Sequence, residues 1–97
     1  MKVLALGRDL VADDDPRFVE LREPEARAVW ELSQADVLRE VYFRADRPDA
    51  VLIFEAPDVE AARAAVAGLP LVAAGLIDFE LVPLRPYPGF ARLFRER

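Results

Sequence analysis

The chain of 97 residues predicts an α+β fold in which two helices cover one face of a four-stranded antiparallel sheet. Three observations lead to this prediction. Four short segments have the alternating or wholly apolar character of β-strands, two longer segments carry apolar residues at helical spacing, and their order is strand, helix, strand, strand, helix, strand. A chain of this length has material for one hydrophobic core, so we predict a single domain over residues 1–97.

The first strand is predicted over KVLALG, residues 2–7, and a helix follows it. This helix begins at Asp15-Pro16, because an N-cap Asp accepts a hydrogen bond from a free backbone N–H and a first-turn proline loses none. Apolar residues continue at helical spacing to about Ala35. Pro24 predicts either a kink or a separate start of the regular helix at Glu23–Pro24.

The segments VLREVYFR and AVLIFEA are predicted to form a hairpin, because ADRPD between them supplies turn residues. A second helix begins at Asp58, which can cap it, and ends at Gly68-Leu69-Pro70. The last strand is IDFELVPL, residues 77–84. Its alternation places Ile77, Phe79 and Leu81 on one face and Asp78, Glu80 and Val82 on the other.

This order of elements is the ferredoxin-like split βαβ arrangement, in which the first and third strands are central. Those two strands are apolar on both faces, whereas the other two alternate. Two helices can cover only one face of the sheet, and an exposed apolar face usually marks an interface, so we predict a homodimer or higher homo-oligomer. The core is expected over about residues 1–84. The apolar tail, residues 85–97, is expected to pack on the partner subunit.

Absent residue types exclude several kinds of site. The chain has no Cys, His or Thr, and Ser33 is its only serine, so neither a Ser/His/Asp nor a Cys/His nucleophile can be assembled. Metal sites built on thiolate or imidazole are excluded as well. Asp13, Asp14 and Asp15 could hold a hard cation, but consecutive side chains diverge and helix capping is favoured. No metal and no cofactor are therefore predicted.

Charge and hydropathy exclude two kinds of partner. A net charge of −5 argues against nucleic-acid binding, which needs basic patches. No apolar run approaches the roughly 20 residues of a membrane span, and the first apolar run is too short for a secretory signal. A cytoplasmic location is expected.

The chain resembles the muconolactone isomerase family of the dimeric α/β-barrel superfamily over roughly residues 22–90. The strongest match is Leu69-Pro70-Leu71, followed by an acidic last strand and the Pro83-Leu84-Arg85 segment. The other matching residues are Glu25, Leu32, Leu38, Arg39, Tyr42, Phe54, Pro57 and Val59. The family's histidines, just after the arginine and in the tail, are replaced here by Glu40 and Pro86-Tyr87-Pro88.

The resemblance implies that two ferredoxin-like sheets pair around a barrel. It also implies a cofactor-free isomerase that moves a double bond in a small unsaturated lactone or related cyclic compound. Such a reaction needs a base and a group that stabilises an oxyanion, and Glu25 and Arg39 match those positions. Tyr42 would then contact the substrate, and Trp30 and Tyr87 are further candidates for substrate binding.

Alternatives remain open at this stage. Glu25 could be an exposed helical carboxylate, Arg39 could pair with a carboxylate of the partner subunit, and Tyr42 and Trp30 could be packing residues. The whole protein could be a non-catalytic small-molecule-binding dimer. It could also be a cofactor-independent monooxygenase of aromatic compounds, for which Trp30 and Tyr42 would be the residues to test.

Overall fold

The computed structural model describes residues 1–95. Its elements are β1 (Lys2–Asp9), α1 (Pro16–Gln34), β2 (Leu38–Phe43), β3 (Ala50–Glu55), α2 (Val59–Ala67), α3 (Pro70–Ala73), β4 (Ile77–Leu84) and a 3₁₀ helix, η1 (Gly89–Leu93). The six predicted elements are present in the predicted order. The short helices α3 and η1 are additional. In residues 1–95 no helix is both long enough and apolar enough to cross a membrane.

The strand order in the sheet is β2-β3-β1-β4, with every neighbouring pair antiparallel. The predicted ferredoxin-like arrangement, with the first and third strands central, is therefore confirmed. Ala5 in β1 lies opposite Leu52 of β3 on one side and Leu81 of β4 on the other. All three face the helices, so the predicted facing of the last strand is confirmed.

The two long helices begin where capping chemistry predicts. The Asp15 carboxylate accepts a hydrogen bond from the Arg17 N–H at 2.9 Å, and the Asp58 carboxylate accepts one from the Ala61 N–H at 2.8 Å. α1 runs unbroken through Pro24, so the predicted separate start at that residue is wrong. Pro24 is tolerated because it lies on the exposed side of α1, where water can bind the backbone carbonyl of Glu20 that loses its partner.

The core lies between the sheet and the helices. Its main cluster consists of Val3, Ala5, Leu38, Leu52, Phe54, Ala56, Ala62, Val66 and Leu69. A smaller cluster of Leu71, Leu76 and Ile77 joins α3 to the start of β4. Phe79 packs against both clusters. α1 contributes half-buried side chains but no fully buried one, so it covers this part of the sheet less tightly than α2 does.

The opposite face of the sheet carries no helix. Leu4, Leu6, Val51 and Ile53 form a half-buried apolar strip along its centre. At its edge Asp78 lies opposite Arg8, and their charged groups are 3.6 Å apart. The acidic residues of β4 therefore face solvent beside an apolar strip, as the alternation of the last strand predicts.

Candidate functional site

A cavity of about 660 Å³ lies between α1 and the helix-covered face of the sheet. This volume is typical of sites for small molecules. Its walls are mainly apolar, formed by Phe18, Ala26, Val29, Val41, Phe43, Pro48, Ala50, Leu52, Leu71, Ile77 and Phe79. The cavity belongs to one protomer and lies on the opposite side of the sheet from the apolar strip.

Small residues in the sheet make room for the cavity. Gly7 is buried in β1 beneath Phe79, and a Cβ at this position would lie 2.9 Å from Phe79 Cε1 and 3.0 Å from the Ala50 carbonyl oxygen. The Phe79 ring can therefore approach the backbone of β1 this closely only because residue 7 has no side chain. Because α1 has no fully buried side chain, the space between this helix and the Phe79 ring is not filled.

Glu25 is the polar residue that α1 places in the cavity wall. It lies between Leu21 and Ala28 on the half-buried stripe of the helix, where an apolar residue would be expected. Its Oε1 accepts a hydrogen bond from the Leu71 N–H at 3.0 Å. Burial raises the pKa of the Glu25 carboxyl above its ordinary value of 4.5, and the Leu71 N–H opposes this only in part.

Asp9 lies in the wall at the end of β1. Its backbone N–H donates to Asp49 Oδ1 at 3.0 Å, and Asp49 is a nearly buried carboxylate that pairs with Arg47 Nε at 2.6 Å. Burial raises the pKa of the Asp9 carboxyl, and the nearby charges of Asp49 and Asp13 raise it further. The cavity thus has a second carboxyl group that holds its proton more tightly than usual.

Arg22 supplies a cation to the same wall, one helical turn before Glu25. Its Nη2 donates to the backbone carbonyl of Asp13 at 2.8 Å, and its guanidinium carbon lies 5.6 Å from the centre of the Phe18 ring. These two contacts hold the guanidinium beside the Asp13 carbonyl and the Phe18 ring. A carboxyl with a raised pKa and a guanidinium therefore border one apolar space, which is the pairing that proton transfer next to a carbonyl requires.

Of the residues predicted from sequence, the structure places Glu25 in the cavity wall, whereas Arg39 lies outside it. The pairing of β2 with β3 shifts register between Leu38 and Glu40, so the alternation that places Val41 and Phe43 on the helix-covered face does not extend to Arg39. The exposed Arg39 Nε donates to the Asp36 carbonyl at 2.9 Å.

The three predicted aromatic contacts also lie outside the cavity of their own protomer. Tyr42 is on the helix-free face of β2, where its hydroxyl donates to Glu40 Oε1 at 2.7 Å. Trp30 is 64% exposed on the outer side of α1. Tyr87, in the tail, packs edge to face with Phe90 at 5.2 Å between ring centres.

Asp9, Asp13 and Arg22 line the cavity. The sequence analysis did not name Asp9 or Arg22, and it named Asp13 only as a possible ligand of a hard cation. A signal for Asp9 was present, because it continues the alternation of Val3, Ala5 and Gly7 along the buried face of β1. Arg22 and Asp13 had no comparable signal. Their position follows from how the loop before α1 folds back along the helix.

Fold and cavity together define a ferredoxin-like α+β protein with a ligand-sized, acid-containing space beneath its first long helix. Among solved structures, muconolactone isomerase is similar over 91% of this chain and 92% of its own, with a TM-score of 0.76 and 24% sequence identity. A 5-chloro-2-hydroxyhydroquinone dehydrochlorinase from Burkholderia phenoliruptrix AC1100, in complex with 2,5-dihydroxybenzoquinone, is similar over 92% of this chain and 98% of its own, with a TM-score of 0.69 and 15% identity. No family profile and no characterised protein sequence matches the chain. The chain therefore has the fold of muconolactone isomerase.

Proposed function

We propose that this protein is a cofactor-free, muconolactone isomerase-like enzyme that moves a double bond by proton transfer in a small unsaturated lactone or related cyclic compound. The observation that carries the proposal is the position of Glu25, a half-buried carboxyl with a raised pKa in the wall of an apolar cavity. A base works best when its pKa lies close to the working pH, and burial moves Glu25 in that direction.

In the proposed reaction, the Glu25 carboxylate takes a proton from the ring carbon next to the carbonyl. The electron pair of that C–H bond forms a new double bond, and negative charge develops on the carbonyl oxygen. The Glu25 carboxylic acid then returns the proton to the far end of the conjugated system, so the double bond moves and nothing is oxidised or reduced. The proton stays available because the apolar walls restrict water around it.

We assign stabilisation of the oxyanion to Arg22, because it lines the cavity one turn from Glu25 on the same helix. The exposed guanidinium of Arg39 could take this role only toward a neighbouring protomer. The same holds for Tyr42 and Tyr87, whose predicted substrate contacts require a second chain. Such a contact suits Tyr87 best, since the tail around it is largely exposed.

The names of the two similar structures support the proposed ligand class. One is named for a lactone, and the other was solved with a dihydroxybenzoquinone. Both compounds are small oxygenated rings, and a ring of this kind fits a mainly apolar cavity of about 660 Å³ with a few polar groups at its wall.

We also propose that the protein acts as a homodimer paired through the helix-free face of its sheet. Support comes from the apolar strip along the centre of that face. Further support comes from the tail, where Phe90, Leu93 and Phe94 are 67%, 73% and 82% exposed. Exposed apolar surface of this extent is typical of an interface.

Deuterium wash-in tests the proposed chemistry. Incubation with an unsaturated γ-lactone in D₂O should exchange the proton next to the carbonyl, as followed by NMR. Glu25→Gln should slow this exchange by about 10²-fold or more, which is the usual contribution of a general base. The matched control is Glu23→Gln, which changes an exposed carboxylate of the same helix whose partner is Arg27.

Unchanged exchange in Glu25→Gln would remove this residue as the base. A non-catalytic carrier is the second candidate, favoured by the existence of a ligand-sized cavity in a single protomer. It would give a different result, because bound lactone would raise the melting temperature by mass action while no exchange occurred in the unaltered protein.

A further inference from the structure

Asp9 is a cavity-wall carboxyl for which the proposed reaction has no role. It ends β1 on the helix-covered face, because it continues the alternation of the buried residues Ala5 and Gly7. Glu25 borders the same cavity from α1. A ligand in the cavity therefore has one carboxyl on its sheet side and another on its helix side.

Two sets of contacts place Asp9 and Arg22 at the same end of the cavity. Asp9 lies opposite Ile77 in the sheet, and Phe18 packs against the cluster that contains Ile77. The Arg22 guanidinium carbon lies 5.6 Å from the centre of the Phe18 ring. Asp13 gives the second link, because its carbonyl accepts from Arg22 Nη2 at 2.8 Å and its charge acts on Asp9. One oxygen atom of a ligand at this end can meet both Asp9 and Arg22.

The surroundings of Asp9 favour its neutral form. Burial raises the pKa of its carboxyl, the nearby charges of Asp49 and Asp13 raise it further, and none of these three causes is a hydrogen-bond donor or a cation. The carboxylate of Asp49 is fixed by Arg47 Nε at 2.6 Å and accepts the Asp9 backbone N–H at 3.0 Å. The cation at this end, Arg22, is held by the Asp13 carbonyl.

Glu25 differs from Asp9 in the groups that act on it. The Leu71 N–H donates to Glu25 Oε1 at 3.0 Å and favours the carboxylate, whereas the charged groups that shift Asp9 are both acidic. As the pH rises, we expect Glu25 to lose its proton before Asp9 does. Between those two ionisations the cavity contains a base and a neutral acid, which is the division of roles that proton transfer next to a carbonyl uses.

Resting on the proposed function, we infer that Asp9 acts as a neutral carboxylic acid that donates a hydrogen bond to the ligand carbonyl oxygen, beside the Arg22 guanidinium. Two donors then meet the negative charge that develops on this oxygen. The Asp9 proton stays on its own oxygen, so Glu25 remains the group that exchanges a proton with carbon. A carboxylic acid kept neutral by its site can stabilise an oxyanion in this way.

The pH dependence of deuterium exchange tests this role. With an unsaturated γ-lactone at saturating concentration, exchange should rise as Glu25 ionises and fall again as Asp9 ionises. Asp9→Asn replaces the acid O–H by an amide N–H that does not titrate, so this variant should retain exchange to within about tenfold at neutral pH and lose the alkaline fall. Asp9→Leu has no donor and should slow exchange by about 10²-fold or more.

Two further substitutions separate the charge around Asp9 from its structural surroundings. Asp49→Asn keeps an oxygen for the Asp9 N–H but removes a negative charge, so the pKa of Asp9 should fall and the alkaline loss of exchange should begin at a lower pH. Asp14→Asn removes the same charge from an exposed residue outside the wall and should leave the profile unchanged.

Carboxyl ¹³C NMR of the full chain gives a measurement that is independent of turnover. The Asp9 resonance is assigned by its absence from Asp9→Asn, and the Glu25 resonance by its absence from Glu25→Gln. In the unaltered protein Asp9 should titrate at the higher pH. The reverse order, which an arginine of a second chain beside Asp9 would produce, overturns the inference.

The exchange rates distinguish failure of this inference from failure of the proposed reaction. Exchange that is lost in Glu25→Gln but unchanged in Asp9→Leu supports the proposed reaction and refutes the donor role of Asp9. An alkaline fall that persists in Asp9→Asn refutes that role as well. No exchange in the unaltered protein refutes the reaction and the donor role together.

Discussion

The surroundings of Glu25 have two opposite effects on the ionisation of its carboxyl group. Its Oε1 satisfies the Leu71 N–H, which is the first free donor of α3 because Pro70 has none. That contact favours the charged carboxylate, whereas burial beside apolar walls favours the neutral acid, and burial is the larger effect. The fold therefore keeps a carboxyl where its ionisation costs stability, as is common at functional sites.

The cost of ionising Glu25 should be measurable as a pH dependence of the free energy of unfolding. Because the folded-state pKa of Glu25 is raised, its contribution to stability is fully present below pH 4.5 and is lost as the pH rises through the folded-state value. Glu25→Gln keeps an acceptor for the Leu71 N–H but cannot ionise. We expect the variant to match the unaltered protein near pH 4 and to have the higher free energy of unfolding at pH 8, as measured by urea denaturation.

The matched comparison is Glu25→Ala, which removes the acceptor as well as the charge. It should lose about 1–3 kcal/mol relative to Glu25→Gln, because the Leu71 N–H is left without its partner in a half-buried position. A constant stability difference between Glu25→Gln and the unaltered protein from pH 4 to pH 8 would contradict the raised pKa.

The resemblance, rather than the helical pattern, led to Glu25 as a candidate, and the structure places that residue in the cavity wall. Arg39, the other candidate from the resemblance, lies outside the wall. One residue of register shift between Leu38 and Glu40 reverses the facing of everything before it, and nothing in the alternation of LREVYF reveals the shift. The alternation of side chains therefore predicts which face a residue lies on along a regular strand such as β1, but not across a bulge.

At the scale of elements, the sequence predicted the six regular segments and the starts of both long helices. The starts were predictable because capping is local chemistry between residues at most three apart. α3 was missed because four residues are too few to show a helical period, although Pro70 at its first position fits a helix start. The continuity of α1 through Pro24 depends on which side of the helix is exposed to solvent. That exposure is set by the packing of the whole molecule.

Gly7 offers a test of how β1 shapes the cavity. Gly7→Ala places a Cβ 2.9 Å from the Phe79 ring and 3.0 Å from the Ala50 carbonyl oxygen, closer than such contacts normally allow. The ring must move toward α1, so we expect a loss of about 1–3 kcal/mol in the free energy of unfolding and a smaller cavity. Urea denaturation measures the first effect, and the affinity for an unsaturated γ-lactone measures the second.

Gly68→Ala is the control for this substitution. Gly68 ends α2 with φ −81° and ψ −8°, and a Cβ there meets only ordinary contacts at 3.6 Å and beyond. Its stability should change by no more than about 0.5 kcal/mol, and ligand affinity should not change. Equal effects of the two substitutions would show that the close approach of Phe79 to β1 does not cause the losses of stability and affinity.

At the scale of the whole molecule, the chain is more extended than its length requires. Its radius of gyration over the described Cα atoms is 16.2 Å, with extents of 64 × 29 × 19 Å, whereas a compact chain of 100 residues has a radius of about 13 Å. The sheet with its helices on one face accounts for the thin dimension. The tail after β4, whose apolar side chains are exposed, accounts for part of the length.

These features lead to a prediction about assembly. The chain should sediment at micromolar concentration as a particle of about twice its 10.9 kDa mass. Ile53→Glu puts a charge at the centre of the apolar strip, beside Leu4 on the neighbouring strand, and should give single chains that keep their circular dichroism spectrum. Burying an unpaired carboxylate in a dimer interface costs several kcal/mol, enough to separate the subunits.

Val19→Glu is the matched control, since it makes the same chemical change at a half-exposed apolar residue on α1, away from the sheet. It should sediment as the unaltered protein does. A single-chain particle formed by the unaltered protein would refute the pairing of sheets, and with it the substrate contacts proposed for Tyr42 and Tyr87. The cavity beneath α1 would survive that result, because every residue of its wall belongs to one protomer.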